Sequence, residues 1–395
     1  PVEPKKALPA ERMGELIENY VNYVANYKTF GYDGVSLNIP MLIGKNRNHR
    51  TDEYGCDTPE HAARLPKLLF GAIKQRLGRD FITEAYVYGE MDHIYSKEFM
   101  AAVVKELEDV VDIVSIKEKD AATNHPTGFQ FQKGQHTCFT YAKAIRDTGA
   151  KVLVGVNGGF QDPQELDGYL AEGKCDLIAM ARGLFADEEY MEKCLTGRGE
   201  DIVPCIWCNK CHGTMTPPWI SFCSVNPRLG IDPMLLKTLP EGHSSKKTAV
   251  IGGGPIGMRA AIMAAQQGHQ VTLFEQTDYL GGQLKHSDYV SFKWPLRDYK
   301  NYLVRQLRKN GVTVRMQTKA TPALLAQEGF EAVIAATGAV PTIPAFAQDT
   351  EGKLLPGLQT CLDAFGHAAE IGKRVVHVSG SYTGVRRGHA PFNMG

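Results

Sequence analysis

The sequence predicts an α/β protein in two parts: a partial TIM (β/α)8 barrel, represented by its last five βα units within residues 1–203, and a Rossmann-like dinucleotide-binding domain over 248–395. Three observations point there. Across the first 200 residues, short apolar runs alternate with amphipathic helical segments at the spacing of parallel βα units. The glycine run Gly252-x-Gly254-x-x-Gly257 follows an apolar strand and opens a helix. Between the two parts lies Cys205-x2-Cys208-x2-Cys211-x11-Cys223.

Residues 10–29 place Met13, Leu16, Ile17, Tyr20, Val21, Val24 and Tyr27 on one helical face, with Pro9 suited to the first turn. A short strand follows at 31–37, then a helix at 59–77 stopped by Gly78 and a strand at 81–87. Next come a helix at 96–109, a strand at 111–116, a helix at 137–148 stopped by Gly149 and a strand at 151–156. A helix at 163–172, a strand at 175–180 and a last helix near 187–195 complete the series. The strands read as near-continuous apolar runs, as expected when both faces of a parallel sheet are covered. Five parallel strands also suit an open doubly wound sheet, but no phosphate-binding fingerprint follows the first strand. A barrel commonly holds phosphate in the loops after its seventh and eighth strands. Those loops are Asn157-Gly158-Gly159 and Ala181-Arg182-Gly183, where glycine backbone N–H groups can approach an anion and Arg182 can offer a bidentate charge. The plainer readings are an ordinary turn at Gly158 and Gly159 and a surface ion pair at Arg182.

Lys plus Arg and Asp plus Glu both number 44, and no basic stripe marks a nucleic-acid or anionic-membrane surface. No apolar stretch reaches the roughly 20 residues of a membrane-spanning helix, and no signal-peptide pattern opens the chain, so a soluble cytoplasmic protein is expected. The chain of 395 residues starts Pro1-Val2-Glu3 in what reads as mid-fold, so it is expected to be truncated at both ends and unstable when expressed alone. A homo-oligomer is left open. Three cysteines within seven residues and a fourth after a loop have iron–sulfur geometry over 204–228. Structural zinc is the alternative, although it usually takes two separated pairs. Cys56, Cys138, Cys175, Cys194 and Cys361 are scattered, and 229–247 reads as a linker.

Four stretches in this order resemble the 2,4-dienoyl-CoA reductase and 2-enoate reductase group of iron–sulfur flavoenzymes, which share an old yellow enzyme-like barrel and are related to trimethylamine dehydrogenase. They are Asn48-His49-Arg50-Thr51-Asp52-Glu53-Tyr54-Gly55, the Gly158-Gly159 and Ala181-Arg182-Gly183 loops, the cysteine run with Val225-Asn226-Pro227, and Val250-Ile251-Gly252-Gly253-Gly254-Pro255. The resemblance implies FMN on the barrel, a [4Fe-4S] cluster on Cys205, Cys208, Cys211 and Cys223, and FAD on the C-terminal domain. It also implies electrons from NAD(P)H passing to the C=C bond of an α,β-unsaturated carbonyl substrate. A small-amine dehydrogenase and a non-catalytic remnant are the alternatives. Two departures stand out: Asn38–Gly44 lacks a Tyr or His pair, and Tyr86 stands where relatives tend to place an arginine against the flavin.

His125, on the loop after the third strand, is the expected proton donor. Tyr86 and Tyr88 are weaker candidates, and His136 and His212 read as surface or supporting residues, His212 beside the cluster. In the C-terminal domain Glu275 ends the second strand at the separation expected for a ribose-binding carboxylate. Gly282 and Gln283 provide another close backbone approach, and Thr337-Gly338 resembles the turn that returns to the FAD. FAD is favoured over a bare NAD site. Residues 375–384 resemble the start of an NAD(P)H module, but Ser379 and Ser381 replace glycines and eleven residues follow Gly384, so weak NAD(P)H binding is expected.

Overall fold

A computed structural model describes residues 12–39, 57–89, 96–117, 136–212, 222–230, 244–340 and 342–360, with Gly55 and a few positions between 362 and 376. His125, most of the Asn48–Gly55 stretch and nearly all of 375–384 lie outside the described residues. The chain divides into two compact units, Pro1–Asp232 and Pro233–Gly395.

In the first unit, α1 (Met13–Thr29) leads into β1 (Gly34–Asn38), followed by α2 (Pro59–Leu77), β2 (Ile82–Tyr88), α3 (Lys97–Glu106) and β3 (Ile113–Lys117). Then come α4 (Cys138–Asp147), β4 (Leu153–Asn157), α5 (Pro163–Ala171), β5 (Leu177–Ala179), α6 (Arg182–Ala186) and α7 (Tyr190–Leu195). Side chains set where the helices begin. Thr58 accepts from the His61 N–H ahead of Pro59, Ser96 from Phe99, and Asp162 from Gln164, each capping a first turn. Gly78, at φ 98°, ends α2.

All described pairings in this sheet are parallel, and the strand order is β1-β2-β3-β4-β5. A sheet that never reverses its order has no switch point, which separates a barrel segment from a doubly wound sheet. The core lies between strands and helices. Ala85, Val87, Val114, Ile116, Val154 and Val156 pack against Phe70, Met100, Val104, Tyr141 and Ile145. Burying a side chain of the valine to methionine class contributes about 1.5–3 kcal/mol, so this layer carries the unit. One expectation changes here. Arg182 begins a short helix, because Phe185 and Asp187 N–H groups bond back to Ala181 and Gly183.

The second unit runs β6 (Lys247–Ile251), α8 (Pro255–Gln266), β7 (Gln270–Phe274), α9 (Trp294–Lys309), β8 (Thr313–Arg315), α10 (Pro322–Gln327) and β9 (Ala332–Ala335). Its parallel sheet has the order β8-β7-β6-β9, so the order reverses at β6 and a crevice opens there between β6 and β9. Among the described residues no helix is long and apolar enough to cross a membrane.

Candidate functional site

Strand side chains alternate, so the faces of β2, β3 and β4 turned away from the helices carry Glu84, Tyr86, Tyr88, Ser115, Lys117 and Asn157. Register brings Asn38 opposite Tyr86 and lines up Tyr88, Lys117 and Asn157 across the C-terminal ends of the strands. Asn38 Nδ2 donates to Tyr88 Oη at 2.9 Å, and the Tyr86 and Tyr88 rings meet edge to face at 5.6 Å. Lys117 Nζ sits 5.8 Å from the Tyr86 ring centroid, and Ser115 donates to Glu84 one layer deeper. Burial, with the charges of Tyr88 and Glu84 behind it, pushes the Tyr86 phenol above its ordinary range, so it stays protonated. This is the end of a barrel where active sites are built. The sequence pointed to the two tyrosines and, as part of a phosphate loop, to Asn157; Asn38 and Lys117 were missed as members of this row.

The loops after β4 and β5 adjoin the cysteine run. Gly158 and Gly159 have φ values of 112° and 80°, and a Cβ on Gly159 would stand 3.0 Å from His136 Cε1 and 3.9 Å from the Trp207 ring. His136, expected as a surface or supporting residue, stacks on Phe160 with centroids 4.3 Å apart. Arg182, with Ala181 at the helix start and Gly183 buried behind it, lays its guanidinium 4.4 Å from the Trp207 ring centre and donates to Asn209 Oδ1 at 2.6 Å.

Other bonds fasten the same segment. Gln161 Oε1 accepts from the Cys205 N–H at 2.9 Å, Asp187 Oδ2 from the Val203 N–H at 2.8 Å, and Phe185 O from Asn226 Nδ2 at 3.0 Å. Trp207 and Asn209 both have φ 57°, which turns the chain back between successive cysteines. The Trp207 N–H points at Cys205 Sγ, 3.4 Å away, and Cys208 Sγ lies 3.2 Å from Ser224 Oγ. Burial pushes the Cys205 thiol up to about 12, with the Trp207 N–H and Arg182 pulling the other way. Burial raises Cys211 too, and both thiols lie within electrostatic reach of Cys208 and Cys223. Among the described residues no three His, Cys, Asp or Glu side chains gather closely enough to hold a single metal ion.

In the second unit the glycines leave no room for side chains. A Cβ on Gly252 would stand 2.3 Å from Ala336 O, and one on Gly257 1.9 Å from Gly252 O. Gly254 precedes α8, whose first-turn N–H groups form an anion-binding terminus. Glu275 Oε2 accepts from the Gly253 N–H at 2.7 Å and Oε1 from the Thr277 N–H at 2.8 Å, so this buried carboxylate braces the glycine turn. Gly281 N–H bonds Gly253 O at 2.8 Å, placing Gly282 against Gly254. Gln283 Nε2 donates to Ala339 O at 2.9 Å, tying it to the Thr337-Gly338 turn after β9. The unit thus gathers Gly252, Gly254, Gly257, Glu275, Gly282, Gln283, Thr337 and Gly338 at its switch point.

A barrel segment with glycines and an arginine in its β4 and β5 loops, and a separate unit with a dinucleotide-type glycine turn, form an architecture suited to a flavin-dependent oxidoreductase. Residues 1–201 match the NADH:flavin oxidoreductase / NADH oxidase family, and 248–336 match the FAD dependent oxidoreductase family. The chain belongs to the NADH:flavin oxidoreductase / NADH oxidase family. It is similar to the NADH oxidase of Thermoanaerobacter brockii, with 29% identity over 353 residues covering 86% of this chain and 53% of that protein. The cinnamate reductase of Clostridium sporogenes is 26% identical over 408 residues, covering 96% of this chain and 59% of that protein. Among solved structures, a 2-naphthoyl-CoA reductase complexed with 2-naphthoyl-CoA superposes with a TM-score of 0.77 at 26% identity, covering 87% of this chain and 54% of that one. The chain therefore spans little more than half the length of these relatives.

Proposed function

We propose that the protein reduces the C=C bond of an α,β-unsaturated carbonyl compound, an enoate, enone or enoyl-CoA ester, with electrons from NAD(P)H by way of FAD, a [4Fe-4S] cluster and FMN. The carrying observation is that the inward polar row of the barrel and the Gly158, Gly159 and Arg182 site stand on consecutive strand ends, with the cysteine run bonded to the same loops. The residues suit each group. Gly158 and Gly159 at positive φ and a partly buried Arg182 match a phosphate of FMN. Four thiol donors, each within electrostatic reach of two others of the set, suit the donor chemistry of a [4Fe-4S] cluster. The glycine turn and the α8 terminus suit the pyrophosphate of FAD, and Glu275, which braces that turn, is the carboxylate we assign to the ribose. Bound there, the flavins and cluster supply hydride and single-electron chemistry.

The chain's own residues orient and protonate. Lys117 supplies a fixed cation at the mouth, the role an arginine at position 86 would otherwise fill. Tyr86, protonated across the neutral range, keeps a donor on that face, and His125 delivers the proton to carbon. Replacing Lys117 by Met is expected to lower kcat/KM for enone reduction about 100-fold, the usual cost of removing one positioned electrostatic group. Unchanged kinetics would remove Lys117 from the site.

The whole reading is tested on anaerobically purified protein. Stoichiometric flavin, about four iron and four sulfide per chain, and reduction of an enoate, enone or enoyl-CoA ester with dithionite supplying electrons in place of weakly held NADH are expected. Zinc in place of iron, or turnover confined to small amines, would overturn it.

A further inference from the structure

We infer that Arg182 is a positioning residue for the iron–sulfur centre as well as a phosphate-site cation: it clamps both spacer turns of the cysteine run and sets the reduction potential of the centre they hold. The inference rests on the cluster reading above. Trp207 occupies the spacer between Cys205 and Cys208, and Asn209 the spacer between Cys208 and Cys211. Each adopts φ 57°, a left-handed conformation unfavourable for a side-chain-bearing residue. Such a turn persists only where its surroundings over-determine it.

Arg182 grips both: its guanidinium lies 4.4 Å from the Trp207 ring centre, and Nη1 bonds Asn209 Oδ1 at 2.6 Å. A planar cation that stacks and hydrogen-bonds at once can do this; lysine, a point charge on a flexible stem, cannot. Through Trp207 the clamp reaches the other loop, since that ring also lies against Gly159.

Charge supplies the second half. The guanidinium is within electrostatic reach of Cys205, Cys211 and Cys208, and burial limits how far solvent can screen it. A fixed positive charge stabilises the centre more after it gains an electron than before. It therefore raises the midpoint potential, net charge near a cluster being one of the recognised controls. Geometry and charge predict separable effects.

The test compares wild type, Arg182→Gln and Arg182→Lys as anaerobically purified holoproteins, reading iron and sulfide content, iron loss to a chelator, and the cluster midpoint by potentiometric titration. Arg182→Gln is expected to lose iron at least tenfold faster and to shift the midpoint downward by about 59 mV or more, a tenfold change in a one-electron equilibrium. Arg182→Lys is expected to lose iron as fast while regaining most of the potential, and it decides the matter if the glutamine variant fails to fold. FMN loss in either variant speaks only to the phosphate role. A wild type without iron would sink the cluster reading itself. A loaded wild type whose variants keep iron as long, or a glutamine variant whose midpoint does not move, would overturn the inference about Arg182.

Discussion

Gly257→Ala is expected to empty the dinucleotide site. Gly257 lies in the first turn of α8, and a Cβ there would stand 1.9 Å from Gly252 O and 3.1 Å from the Gly252 carbonyl carbon. Backbone, not a flexible side-chain end, is in the way. That backbone is itself fixed, because the Gly252 N–H bonds Phe274 O at 2.8 Å while Ala336 O closes on it from β9. The helix must therefore lift from the switch point, carrying its N-terminal N–H groups out of line with a pyrophosphate. Alanine's helix preference offers at most about 1 kcal/mol in return, against overpacking costs of roughly 1–3 kcal/mol. At least a tenfold loss of bound FAD and a lower melting temperature for the second unit should appear when released flavin and thermal unfolding are measured. Gly268→Ala is the control. That residue follows the far end of the same helix at φ 86°, with no atom near the added methyl, so it should cost stability through strain of about 1–2 kcal/mol. Its FAD content should hold. A fully loaded Gly257→Ala protein would mean that the glycine turn does not carry the cofactor.

What the sequence disclosed depended on whether a feature is local. The βα alternation and the Gly252–Gly257 turn are each written in local patterns, and each is found in place in the structure. The inward row escaped because it is assembled from strands between residues 34 and 157, each offering two or three positions on that face. In so short a strand, the apolar residues packed under helices dominate the pattern, and Lys117 reads as a strand end. Arg182 was legible as a cation but not as a clamp, since Trp207 and Asn209 lie some 25 residues on and their backbone conformation is visible only in three dimensions. The ring stack of His136 was hidden for a related reason. Its partners Phe160 and Tyr169 come from later segments, and no local pattern around His136 announces that stack.

Asp187→Ala should unfasten the cysteine run and destabilise the first unit together. Asp187 and its partner Lys193 have side chains 3% and 11% exposed, so neither charge can be returned to water cheaply. Its carboxylate takes Lys193 Nζ on both oxygens, at 3.0 and 2.8 Å, along with the Glu189 N–H at 3.0 Å and the Val203 N–H at 2.8 Å. Removing one member of a buried pair costs about 3–5 kcal/mol, and Lys193 would keep only the exposed Glu189 carboxylate, 3.4 Å from its Nζ. Burial pulls the Lys193 ammonium down, but the bond to Asp187, its charge and the nearby Glu189 carboxylate together outweigh burial and leave it above its ordinary value. The Lys193 contribution is therefore present in full at neutral pH and is lost as pH rises through its raised value. Denaturant unfolding at pH 7 should show the full loss, and iron content should fall because Val203, two residues before Cys205, loses its anchor. Asp187→Ala/Lys193→Met separates the two effects. With the stranded charge gone, stability should largely recover, whereas the Val203 N–H still lacks its acceptor and iron should stay low. Recovery of both would show that the ion pair, and not the bond to Val203, holds the cysteine segment to the barrel.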